Sequence, residues 1–313
     1  MSTYKGWLFL AGLTVALFWS GTAGATNFAI LLSGSDGDQK IECDEVVVED
    51  LVIDAADAEA PAGAEYRHKR PGPTRFPHIC LKRGVSKYQD DLAGWWEEVS
   101  GQRFFRSRSG NVILFDDKGE ARTVYTFSDC LPVAYRVTES VSADGTVTAV
   151  EEYEFSTQGL EIRRRGIGGG ASAGKPNLGK IYLEDDAGER KTDNSVESWS
   201  GGEPALIQTW PFRNSRFHKD LPGDKLGTDV TLDLPDGQLS EPMCEWINET
   251  VNGKPWKRSM AIEETRPNGK PGRTFIYHDC FPTRYVFPQM KKGGGAVQTE
   301  TLTVKIGRIE FKT

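Results

Sequence analysis

Two carboxylate–thiol pairs are the residues best placed by type and spacing to do chemistry. Asp129-Cys130 and Asp279-Cys280 each end a strand-like run, and each is followed by a proline (Pro132, Pro282) and a tyrosine (Tyr135, Tyr285). Such a pair could supply a general acid or a nucleophile, but acid–base work needs a second titratable group in reach. No duplicated one stands out, because His278 in one copy aligns with Ser128 in the other. An Asp beside Cys and before Pro at a strand end reads instead as a turn former. Residues 169–175 (G-G-A-S-A-G-K) satisfy G-x-x-x-x-G-K, yet a phosphate loop needs Ser or Thr next and a helix after it. Pro176 follows, so the stretch reads as a linker. The four histidines (His68, His78, His218, His278) form no ligand spacing. Asn248-Glu249-Thr250 fits a glycosylation sequon but falls on an expected helix. No nucleophile, base and oxyanion donor assemble, so the expectation is no enzyme, no cofactor and no metal.

The elements around these pairs are themselves repeated. The run 123–127 leads into Ser128-Asp129-Cys130-Leu131-Pro132, and 274–277 into His278-Asp279-Cys280-Phe281-Pro282, with matching residues 150 positions apart. Each continues through a glycine-bearing turn into a last strand, ending Gly159-Leu160-Glu161-Ile162 or Gly307-Arg308-Ile309-Glu310. A period that long means two copies of a whole domain rather than a solenoid.

The chain's 313 residues suffice for two ordinary cores. Residues 1–25 stand apart: Lys5, an apolar run from Trp7 to Trp19, and Ala23-Gly24-Ala25 read as a secretory signal. Its apolar run is short for a membrane span, so membrane association is expected only if the signal stays uncleaved. The remainder carries 37 basic and 45 acidic groups, a net of −8, which argues against nucleic acid as a partner. All five cysteines lie in this exported part. Cys280 could bridge to Cys244, or the thiols could serve as small buried hydrophobes.

Taken in order, the modules are expected at 26–163 and 177–313, joined by a glycine-rich linker at 164–176. Residues 42–59 hold eight acidic groups and no basic one; Arg67, His68, Lys69, Arg70 and Arg75 follow. These segments look like an extended hairpin or arm, or else a solvated loop. Helices are expected at 88–99, with Leu92, Trp95, Trp96 and Val99 on one stripe, and at 241–251, with Met243, Trp246, Ile247 and Val251. Leu302, Val304 and Ile306 alternate with Thr301, Thr303 and Lys305, the period of a strand with one wet face. Each module is thus mostly β with one helix, its core anchored by Trp95 and Trp96 or by Trp246.

The run Ile79-Cys80-Leu81-Lys82-Arg83-Gly84, the helix with Trp95-Trp96, the strand ending Asp129-Cys130-Leu131-Pro132 and the closing Gly159-Leu160-Glu161 resemble the tail tube proteins of contractile phages. The tubes of type VI secretion and of extracellular contractile injection systems share that resemblance. The second copy follows more loosely, with Asp233-Leu234 in place of Lys82-Arg83. The resemblance implies two tandem β-barrel or sandwich modules that self-assemble into rings and a hollow tube, three two-module chains standing in for six single modules. The export signal adds an extracellular filament as an expected product. A periplasmic adaptor or cap of an injection machine is the alternative, with other machine or envelope proteins as partners, and an exported enzyme a third reading. In the tube reading Glu42, Asp44, Glu45, Glu49, Asp50 and Asp54 face Arg67, Lys69, Arg70 and Arg75 across the junction between stacked rings.

Overall fold

One strand in each half bends at its middle and so belongs to two sheets. The computed structural model describes residues 28–34, 37–58, 69–85, 91–101, 106–116, 119–141, 147–164, 179–184, 194–196, 198–201, 204–211, 218–227, 229–234, 239–254, 257–266, 270–291 and 299–312. The expected signal, residues 165–176 of the expected linker, Arg67 and His68 lie outside them. The first half runs β1 (Phe28–Gly34), β2 (Gly37–Ile41), β3 (Glu45–Val48), β4 (Leu51–Asp57), β5 (Lys69–Arg75), β6 (Ile79–Gly84), α1 (Asp91–Ser100), β7 (Arg108–Phe115), β8 (Ala121–Val141), β9 (Val147–Ser156) and β10 (Gly159–Arg164). The second runs β11 (Gly179–Glu184), β12 (Asn194–Val196), β13 (Ser198–Gly201), β14 (Pro204–Pro211), β15 (His218–Gly227), β16 (Val230–Leu234), α2 (Glu241–Val251), β17 (Arg258–Thr265), β18 (Pro271–Val286), β19 (Met290–Lys291), β20 (Glu300–Lys305) and β21 (Arg308–Lys312).

The bending strands are β8 and β18. The first part of β8 lies between β7 and β10, and its second part pairs with β9, which continues to β6 and β3. β18 does the same with β17 and β21, then with β20, β16 and β13. All these pairings are antiparallel, and in both halves the sheets fold over a core of alternating inward residues.

The bend sits at Asp129 (φ 51°) and Asp279 (φ 54°), left-handed positions where a short polar side chain is tolerated. Register shifts flank it at Pro132/Ala134 and Pro282/Arg284, where proline leaves no donor to the ladder. Glycine stands opposite in both: a Cβ on Gly307 would lie 2.7 Å from the fixed Asp279 Cβ, whereas one on Gly159 would meet the Ser128 Oγ, which can rotate away. The duplicated Asp, Pro and Gly therefore make one corner. The Asp129 carboxylate accepts the Ser107 hydroxyl at 3.0 Å.

Both helices lie across their own sandwich. On α1, Leu92 and Trp95 are buried, Trp95 stacking on Phe155 at 5.2 Å and donating its indole N–H to the Arg106 carbonyl at 3.1 Å. Trp96 is only partly buried, 6.2 Å from Tyr135. On α2, Met243, Cys244, Trp246, Ile247, Thr250 and Val251 are all buried, so α2 is covered on two sides. Burying each large apolar side chain contributes about 1.5–3 kcal/mol.

The possible Cys244–Cys280 bridge is corrected. Cys244 and Cys280 are both free thiols. Cys244 faces the Leu239 carbonyl on the outer stripe of α2, while Cys280 is wholly inside the sandwich beyond the β18 bend. Burial pushes the Cys130 and Cys244 thiols up to about 12, and Cys280 higher still. They act as small hydrophobes.

Candidate assembly interface

The charged hairpin expected between residues 42 and 75 exists, but its base is structural. β4 and β5 pair from Val52↔Arg75 to Asp57↔Lys69, with Lys69 donating to Asp57 at 2.5 Å and Arg75 reaching Asp54 at 3.5 Å. Leu51 and Ile53 alternate inward and are buried, as are Val46 and Val48 on β3. The segment therefore cannot be a wholly free arm, because removing it would remove core.

What β4 does is join the two halves. It adds to the edge of β18, Leu51 opposite Tyr285 and Val52 opposite Arg284, and the Arg284 guanidinium clasps Asp50, its Nε at 2.8 Å. Beyond β18 the chain crosses back as β19, whose Met290 and Lys291 lie opposite Val46 and Glu45 on β3. Edge-to-edge addition of this kind satisfies backbone donors and acceptors that an open edge would expose.

Inside this seam is a buried aromatic and charged cluster. Phe287 sits against Tyr125 (5.2 Å), Tyr285 (4.7 Å) and Phe127 (6.2 Å), and the Tyr125 and Tyr285 hydroxyls meet at 3.0 Å. Tyr285 also donates to the Glu300 carboxylate at 3.1 Å, and Glu300 has no exposed surface. Burial, then the Glu300 charge, then Tyr125, raise the Tyr285 phenol well above its ordinary value. Arg164, at the end of β10, donates to the Leu239 carbonyl at 2.5 Å; burial lowers its affinity for its proton and the Glu300 charge opposes that.

Comparison of the halves explains Glu300. In the first half the matching carboxylate is Glu151, which accepts the Tyr135 hydroxyl at 3.2 Å and pairs with buried Arg83 at 2.9 Å. In the second half Leu234 occupies the Arg83 place opposite Glu300. From the first half, the buried Arg164 guanidinium acts on Glu300 through its charge. A buried carboxylate is tolerable only with a cation and hydrogen bonds beside it.

The helix completes the seam. α2 packs on β10, and its Asn248 amide copies a neighbouring strand: the side-chain oxygen accepts the Ile162 N–H at 2.8 Å and the side-chain nitrogen donates to the Ile162 carbonyl at 2.7 Å. Cys244 and Val251 share that stripe, at i−4 and i+3.

Of the residues expected at a ring junction, Asp50 is thus bound across the seam, and Asp54, Lys69 and Arg75 within the hairpin. Asp44 accepts the Gly84 N–H at 3.1 Å, Glu49 accepts the His78 N–H at 3.4 Å, and Glu45 lies opposite Lys82 and Lys291. Glu42 and Arg70 are exposed. Sequence reasoning missed Arg164, Glu300, Asn248 and Arg284. Glu300 had a signal, since it falls on the inward parity of Leu302 and Val304; the others had none.

Sheet edges of one half are thus completed by strands of the other. Residues 24–161 match the family model described as T4-like virus tail tube protein gp19. Over that stretch the chain is similar to the tail tube family, and the second half repeats its order of pairings. No curated protein matches the chain. Among solved structures, it is similar to a chain of the anti-feeding prophage baseplate (13% identity, 48% of this chain, 100% of that one, TM-score 0.39). Others are a chain of the sheath–tube complex of an extracellular contractile injection system, PVC (20%, 45%, 90%, 0.37), and Hcp1 from Flavobacterium johnsoniae (17%, 45%, 99%, 0.26).

Proposed function

We propose that this chain is an exported structural subunit, three copies of which close into a ring of six modules that stacks into a hollow tube or extracellular filament. The observation that carries this reading is the seam inside the chain. It is heterologous: the first module contributes β3, β4 and β10, the second β18, β19 and α2. A heterologous contact repeated by rotation generates a ring when it closes. Ring stacking we assign to the far end of the β4–β5 hairpin, where Asp57 and Arg70 are exposed beyond the seam.

Negative-stain microscopy of the purified chain lacking residues 1–25 tests the proposal. Long tubes or stacked rings are expected, and a chain with residues 58–68 replaced by a short turn should give rings without length. Discrete rings from the unaltered chain would favour a cap or adaptor; single chains at high concentration would overturn ring formation.

A further inference from the structure

Each component of the seam has a counterpart that the chain itself leaves unused. The second part of β18 gains β4 as a neighbour, whereas the second part of β8 pairs only with β9 among the described residues. Thr283 on β18 is 9% exposed and Phe287, just past its end, 4%; their counterparts on β8, Val133 and Val137, are 46% and 51% exposed. The stripe of α2 that meets β10 holds buried Cys244, Ile247 and Val251; on α1 the same places hold exposed Ala93, partly buried Trp96 and exposed Ser100. The β4–β5 hairpin joins a larger sheet through β18, whereas its counterpart β14–β15 forms a two-stranded sheet of its own. β10 is covered by α2, whereas β21 pairs with β18 alone among the described residues.

The unused halves are complementary. One end of the chain presents a β8 edge and an α1 face; the other presents a hairpin and a β21 edge, the two things such an edge and face receive within the chain. We infer that the β8 edge with Val133 and Val137, together with the Trp96 face of α1, is the docking site for the β14–β15 hairpin and β21 of a second copy of this chain. This deepens the ring reading above and rests on it. The register follows from the seam. β13 lies on β16 as β3 lies on β6, and two residues separate β13 from β14 as they separate β3 from β4. Ala205 thus holds the place of Val52, and Ala134 that of Arg284, so the pair Val52↔Arg284 inside the chain becomes Ala205↔Ala134 between chains. Where Arg284 clasps Asp50, the contact between chains has alanine, and apolar area from Val133, Val137 and Trp96 takes over its role.

Two variants test this in the chain lacking residues 1–25. Val133→Asp/Val137→Asp places two charges on the edge; because both sites are about half exposed in the single chain, its unfolding midpoint should stay put. The concentration at which chains assemble should rise at least ~100-fold, since two buried carboxylates oppose the contact. Ala134→Cys/Ala205→Cys should oxidise into covalent species ending at three chains on a non-reducing gel, and neither single cysteine should. Assembly untouched by the two aspartates, or a cysteine pair that joins nothing while the chain assembles, overturns the docking site and leaves the ring reading standing. A covalent ladder running past three chains keeps the docking site and overturns three-chain closure. Absence of both assembly and cross-link overturns both.

Discussion

Replacing Arg164 with leucine tests whether a buried charge couples the two modules. Arg164 is 9% exposed and Glu300 0%, so little water screens them. In the first module Glu151 has its own Arg83, but Leu234 stands at that place in the second, and the charge of Arg164 acts on Glu300 across the seam. Arg164→Leu keeps much of the aliphatic volume while removing that cation and the donor to the Leu239 carbonyl. Stripping one member of a buried charged pair costs about 3–5 kcal/mol. The double variant Arg164→Leu/Glu300→Leu removes both charges and should recover most of the loss, since an apolar pair of similar volume is often neutral. Urea unfolding followed by tryptophan fluorescence, to which buried Trp95 in one half and Trp246 in the other contribute, measures the cycle; the expected coupling is at least ~2 kcal/mol. A cost below about 1 kcal/mol for Arg164→Leu, or a double variant equal to the sum of the singles, would refute the argument.

The corner residues and the thiols give further checks. Asp129→Gly and Asp279→Gly should hold stability within about 0.5 kcal/mol, whereas valine at either place should cost about 1–2 kcal/mol, because φ near +50° penalises a Cβ branch; equal effects of Gly and Val in thermal melts would show that the backbone does not decide these positions. Cys130 and Cys244 are raised to about 12, so the folded chain keeps protons there that the unfolded chain loses near pH 9. Their contribution is complete below pH 9 and falls, by about 1.4 kcal/mol per pH unit per thiol, as pH climbs toward 12. Urea midpoints from pH 8 to 10.5 should therefore decline in the natural chain and decline less in Cys130→Ala/Cys244→Ala; parallel curves would contradict this.

Much of each module was legible because its signals are local. Apolar spacing placed α2 at 241–251, the residues it occupies, and α1 over nearly all of its described residues. The repeated Asp, Cys, Pro and Gly marked the corner where β8 and β18 change sheets, although only the backbone angles revealed why Asp stands there. The acidic and basic segments were legible as a hairpin, since opposite charge and extended composition speak for neighbours in sequence. That its base is core was not read, although Leu51 and Ile53 alternate as a half-buried strand should.

The residue types alone determined a mostly β protein with two helices, because periodicity and turn chemistry act over a few residues. Tertiary structure alone decided which edges meet. Asp50 and Arg284 are 234 positions apart, and Arg164 acts through its charge on Glu300 in the other half, where Leu234 stands in the place of an arginine. A strand edge offers the same backbone groups to any partner, so nothing local in β4 names β18. The choice falls to what the whole surface buries: a carboxylate needing a cation, an asparagine matching a strand, and a tyrosine pair closing over Phe287.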